Sequence, residues 1–139
     1  MRIKELEASV IKKKNPRKAA VMALFYPDFE QVTHLLLILR KTYEGVHSNQ
    51  IGFPGGKVEK GDADLLTTAL RETHEEVGVA PAQINVLRAL SEVYIPPSNF
   101  EVRPYMGLCQ KPTTFKIDKI LASYESPELG GYVSSQQAC

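Results

Sequence analysis

Three glutamates, Glu72, Glu75 and Glu76, lie within Leu70-Arg71-Glu72-Thr73-His74-Glu75-Glu76-Val77-Gly78-Val79, a run whose pattern predicts the last turns of a helix. Glu75 and Glu76 are i+3 and i+4 from Glu72, so one stripe of such a helix carries all three carboxylates. Like charges at these spacings each destabilise a helix by about 0.2–0.5 kcal/mol, and the partial negative charge at the helix C-terminus adds to the repulsion. The arrangement calls for a cation. A divalent metal held by oxygen ligands would supply one, and the upstream segment Phe53-Pro54-Gly55-Gly56 has the form of a loop that closes on a phosphate-bearing substrate. A merely solvated acidic face would need basic partners, and Arg71 is the one local candidate.

The elements that must position these residues can be read from the pattern. Asp62 or Asp64 serves as N-cap of a helix that runs to about Val77 and stops at Gly78, as glycine does just past a helix end. Leu66, Ala69, Leu70, Thr73 and Val77 form its mostly apolar face, with the carboxylates about a quarter-turn away. The helix can therefore pack on a sheet while presenting Glu72, Glu75 and Glu76 to a cleft beside it. Ala19 to Tyr26 and Thr33 to Leu39 flank a turn-forming stretch, Pro27 to Gln31, and are expected to pair as a hairpin. Ile84 to Leu90, Val93 to Ile95 and Val102 to Cys109 are expected to be further strands, with Pro96 to Asn99 as a loop. Strands around one central helix give a mixed α/β (α+β) architecture. Before them, Leu6, Val10 and Ile11 suggest a short helix, and Lys12 to Lys18 a solvated basic connector, since no aromatic residues are interleaved to stack on bases. From Asp118 the pattern fades, and Glu125 to Cys139 has the composition of a loose tail.

The totals bound the function. A chain of 139 residues with nine glycines and nine prolines is the size of one compact domain. Seventeen Lys plus Arg against sixteen Asp plus Glu leave a net charge of +1, so no global field advertises a nucleic acid or a membrane as partner. The longest apolar run, Ala19 to Tyr26, is too short to span a bilayer. Cys109 sits in an apolar strand and is expected to be packing, and with Cys139 it offers no disulfide framework. A cytoplasmic protein is expected. The expected division is an N-terminal helix and connector over residues 1–17, a main domain over 18–122 and a loose or divergent tail over 123–139.

Gly56, Arg71, Glu72, Glu75, Glu76, Gly78 and Val79 resemble the Nudix box, a glycine and loop followed by a helix bearing Arg-Glu-x-x-Glu-Glu and then Gly and an aliphatic residue. The interval from Gly56 to Arg71 is one residue longer than is usual, Asp62 or Asp64 stands in for the loop glutamate, and Thr73 replaces an aliphatic residue. A longer loop with aspartate is similar to the coenzyme A pyrophosphatase branch. Arg40, His47, Gln50, Phe53, Pro54, Gly55 and Gly56 agree with that branch, as does Tyr94-Ile95-Pro96-Pro97-Ser98-Asn99-Phe100 with Pro104. Ile38, Lys41, Gly45 and Asn49 depart from it. The likeness covers about Lys18 to Ile117.

The resemblance implies a Nudix-type α/β/α sandwich with a mixed sheet. Its expected last strand and closing helix find no match in the tail, so the sandwich is expected to be incomplete at the C-terminus, through truncation, divergence or completion by a second subunit in a homodimer. It also implies hydrolysis of a pyrophosphate in a nucleoside diphosphate linked to another moiety, with coenzyme A or a derivative as substrate. The alternatives are a nucleotide sugar, a dinucleotide or a nucleoside triphosphate, or a non-catalytic nucleotide-binding module. Oxygen-only ligands suit Mg²⁺ or Mn²⁺. Glu72 and Glu76 are expected as metal ligands, Glu75 as a further ligand or the base, Gly56 as a backbone ligand and Arg71 as the group that orients a helix glutamate. Arg40, His47, Gln50, Phe53 and Gly55 are expected to contact substrate. Glu92 and Glu101 are further candidates from the sheet, and His74 is expected at the surface.

Overall fold

The computed structural model describes residues 7–40, 50–116 and 121–124. Nine strands and two α-helices are found among them: α1 (Ala8–Lys13), β1 (Arg17–Pro27), β2 (Thr33–Leu35), β3 (Leu37–Arg40), β4 (Gln50–Gly52), β5 (Gly55–Lys57), α2 (Leu65–Val77), β6 (Ile84–Ala89), β7 (Val93–Ile95), β8 (Phe100–Cys109) and β9 (Leu121–Tyr124). The fold is a mixed α+β structure with a mixed sheet.

β1 is the spine of a six-stranded sheet. It runs parallel to β8 from Arg17↔Phe100 to Phe25↔Leu108, and its other edge is shared by β5 and β2, both antiparallel. β6 and β7 pair with the far edge of β8. Because both faces of β1 are covered, its sequence shows little alternation: Ala19, Ala20, Met22, Ala23, Leu24 and Tyr26 are all buried. A second sheet of three strands, in the order β4-β3-β9, is antiparallel throughout.

The hairpin expected over Thr33 to Leu39 forms only in part. β2 pairs with β1, but the chain then changes sheet at the fully buried Leu36, whose N–H still donates to Leu24 O at 2.9 Å, and continues as β3. The expected loop over Ile51 to Gly56 contains the short strands β4 and β5, and Pro96–Ser98 forms a 3-10 turn. Leu121–Tyr124 pairs with β3 as β9, across the expected boundary at 122. Residues 125–139, expected to hold no match to the family's closing helix, lie outside the described residues.

α2 packs on β1 and β5. Ala69, Thr73 and Val77 are buried, with Leu65, Leu66 and Leu70 partly buried around them. The buried hydroxyl of Thr73 donates to Ala69 O at 2.7 Å, so its polarity is satisfied within the helix. Asp64 is the N-cap: its carboxylate accepts from Thr67 N at 2.7 Å. Gly78, at φ 77°, ends the helix in the left-handed conformation that glycine adopts without a Cβ clash.

Candidate functional site

The capping role falls to Asp64, which leaves Asp62 for another task. Its side chain is 3% exposed, and both carboxylate oxygens are bound by Arg71, Nε to Oδ1 at 2.8 Å and Nη2 to Oδ2 at 2.9 Å. Asp62 also accepts from Glu59 N and from Thr68 Oγ1, each at 2.9 Å. These donors, the Arg71 guanidinium first, hold its carboxyl well below the usual carboxylate range, and the same contact raises Arg71 further above its already high value. A forked ion pair of this type fixes orientation as well as charge.

The remaining nitrogen of Arg71 serves the helix glutamates. Nη1 donates to Glu72 Oε1 at 2.9 Å and to Glu75 at 3.2 Å, and it lies 3.5 Å from Glu59. Nη2 also reaches Lys57 O at 3.3 Å. Arg71 thus joins the loop after β5 to the acidic stripe of α2. The glutamates differ in setting: the side chain of Glu72 is 15% exposed and that of Glu75 57%, while Glu76 is intermediate. Among the described residues, no three His, Cys, Asp or Glu side chains gather closely enough to hold an ion. Repulsion between neighbouring carboxylates favours this, with Glu72 and Glu75 turned to Arg71 instead.

The two glycines before the helix have distinct reasons. A Cβ on Gly55 would fall 2.4 Å from Ala20 O, so the close approach of β5 to β1 requires glycine there. A Cβ on Gly56 would instead fall 2.7–3.0 Å from the carboxylate atoms of Glu72. Bare backbone therefore faces Glu72, which is more enclosed than Glu75, and a side chain at 56 would fill the space. Gly56 is in register with Ala20 on β1, which ties this cradle to the sheet's spine. The donors present, carboxylates and peptide oxygens, suit a hard divalent cation in type and in backbone placement.

The other expected site residues are more scattered. Arg40 and Gln50 are directly opposed across β3 and β4. Phe53 and the buried Pro54 form the bend between the two sheets, where Pro54 O accepts from Met22 N at 2.8 Å. His47 lies outside the described residues. Glu92 pairs with Arg103 at 3.2 Å and Glu101 with Lys18, so both sheet acids have basic partners. His74 is exposed, and Cys109 is buried in the core, where burial pushes its thiol up to about 11.

Comparison with known proteins places this arrangement. A family model described as the NUDIX domain matches residues 16–131. The chain belongs to the NUDIX domain family. A relative from Pectobacterium atrosepticum, "Uncharacterized Nudix hydrolase NudL", is 36% identical over 118 residues, covering 80% of this chain and 57% of its own. The chain thus spans little more than half the length of that relative. Among solved structures, a NUDIX hydrolase from Alicyclobacillus acidocaldarius superposes with a TM-score of 0.66 at 19% identity, over 81% of this chain and 79% of its own. An Ap4A hydrolase binary complex from C. elegans gives 0.59 at 21% identity, over 78% and 80%. At such identities these structures establish the Nudix fold alone.

Proposed function

We propose that this chain hydrolyses a pyrophosphate bond in a nucleoside diphosphate linked to another moiety, with coenzyme A or a derivative as substrate and Mg²⁺ or Mn²⁺ as cofactor. The observation that carries the proposal is the bare Gly56 backbone set against Glu72, whose carboxylate is held by an arginine that Asp62 in turn holds. The substrate assignment rests on the Phe53 to Gly56 segment and the Tyr94 to Phe100 segment, which resemble the coenzyme A branch.

In this proposal the side chains of Glu72 and Glu76 would converge with the Gly56 backbone to hold the metal, and Glu75 would serve as a further ligand or the base. A divalent cation held there would supply neutralisation of phosphate oxygens and a lowered pKa for water. Arg71 sets the rotamer of Glu72, so the ligand is oriented before substrate arrives. Glu75, with 57% of its side chain exposed against 15% for Glu72, has room to turn toward solvent and accept a proton from the attacking water. Arg40, His47 and Gln50 bind the phosphate or nucleotide part of the substrate, and the Phe53 to Gly55 bend lines its path.

A second proposal, a nucleotide-binding module without turnover, draws on the engagement of Glu72 and Glu75 by Arg71. A nucleotide sugar, dinucleotide or nucleoside triphosphate as substrate keeps the chemistry and changes only the recognition. A hydrolysis screen with Mg²⁺ and Mn²⁺ over coenzyme A, dinucleotides, nucleotide sugars and nucleoside triphosphates separates these. Release of two phosphate monoesters from coenzyme A, adenosine 3′,5′-bisphosphate and 4′-phosphopantetheine, is the expected result. Cleavage of another class alone would reassign the substrate, and binding without cleavage of any of them would favour the module.

A further inference from the structure

The helix that carries the glutamates ends under a segment that follows β8. Lys116 N donates to Val77 O at 2.7 Å, satisfying one of the carbonyls that a helix C-terminus leaves unpaired. The approach is close enough that a Cβ on Gly78 would fall 2.6 Å from Lys116 Cβ. Glycine at 78 therefore meets two demands, a left-handed backbone and room for this neighbour. The residue before, Phe115, is 6% exposed and belongs to the core, where its ring meets Tyr26 edge-on at 4.8 Å between centroids. Tyr26 lies on β1 and stacks on His34, which bonds Asp28 at the hairpin tip.

We propose that Phe115 and the Lys116 N–H act as positioning groups for the metal-binding turn of α2. Glu75 and Glu76 lie in the last turn, within two residues of the carbonyl that Lys116 caps. Intrahelical hydrogen bonds run out in this turn, and repulsion between the carboxylates works to open it. The capping bond holds the turn closed from outside, and the Phe115 ring anchors the capping segment to β1, the strand that also fixes Gly56. One strand thereby sets both ends of the carboxylate stripe, through Gly56 beside Glu72 and through Phe115 beyond Glu76. This inference rests on the proposed role of Glu72, Glu75 and Glu76 as metal ligands.

The test is Mn²⁺ affinity of the full chain, measured without substrate by electron paramagnetic resonance or calorimetry, in four variants. Lys116→Pro removes the N–H and should weaken Mn²⁺ binding about tenfold, in the range found for groups that orient metal ligands. Lys116→Ala keeps the N–H and should bind as the parent does. Phe115→Ala should weaken binding to a similar degree. Leu36→Ala removes an equally enclosed side chain at the corner between the sheets, and should lower the unfolding temperature while leaving Mn²⁺ affinity unchanged. Equal affinity in Lys116→Pro and Lys116→Ala, or an equal loss in Leu36→Ala and Phe115→Ala, would overturn the positioning role. Failure of the parent chain to bind Mn²⁺ would overturn the metal assignment itself, and the inference with it.

Discussion

Arg71 grips Asp62 through two parallel hydrogen bonds of 2.8 and 2.9 Å and uses its third nitrogen to hold Glu72 at 2.9 Å. Lysine cannot reproduce this, because a point charge lacks the planar fork. Arg71→Lys is therefore expected to reduce kcat/KM about 10- to 100-fold. Circular dichroism of the variant should stay close to the parent's, and steady-state kinetics at saturating Mn²⁺ provide the measurement. Activity within a factor of about two would show that Glu72 needs no such partner.

Glu76→Gln preserves shape and removes charge from the carboxylate stripe. It should abolish turnover with little harm to the fold, which the thermal midpoint checks. Undiminished hydrolysis would sink the assignment of Glu76 as a metal ligand.

The neighbouring glycines should respond differently to the same substitution. Gly55→Ala drives a methyl group into the β1 backbone and should destabilise the fold by about 1–3 kcal/mol. Gly56→Ala meets the movable end of Glu72, so it should retain most of the stability and lose metal affinity. Gly52→Ala meets nothing within 4 Å and serves as the control. Urea unfolding together with Mn²⁺ titration distinguishes the three, and a fully active Gly56→Ala would remove the Gly56 cradle from the proposed site.

The carboxyls of Asp28, Asp62 and Asp64 are all held below the ordinary aspartate pKa, through His34, Arg71 and the Thr67 N–H respectively. A carboxyl depressed in the folded state binds protons more readily when unfolded, so it contributes stability above its unfolded pKa and loses that contribution as pH falls toward the folded one. The urea midpoint should therefore be nearly level from about pH 5 to 7 and fall below about pH 4. Asp62→Asn should flatten the acid limb, and a limb identical to the parent's would show that the Arg71 pair has no part in it.

The parts of the fold that local chemistry dictates were legible in the sequence. α2 carries its own stop in Gly78 and offers Asp62 or Asp64 as its start, and its apolar residues recur at helical spacing, so its extent to within a turn and its acidic stripe could be placed without tertiary information. The sheet change at Leu36 could not, because Thr33 to Leu39 is uniformly strand-like and the choice of sheet depends on distant partners. β9 was hidden for a related reason, since its short apolar cluster has meaning only against β3. Asp62 could be singled out as a cap or a substitute for the loop glutamate, but its forked contact with Arg71, nine residues away, requires the loop after β5 to turn back on the helix. The glycines could be marked as points of close approach, though not that one answers to β1 and its neighbour to Glu72.

The parallel pairing of β1 with β8 joins residues as far apart as Lys18 and Glu101, 83 positions along the chain. Contacts of that span are slow to form, because a long loop must close before any pairing energy is gained. On the ribosome the spine strand emerges 83 positions ahead of its longest partner. Until then Met22, Leu24 and Tyr26 lack part of their cover, and chaperone demand and aggregation during synthesis should be governed by how quickly the Phe100–Cys109 strand follows.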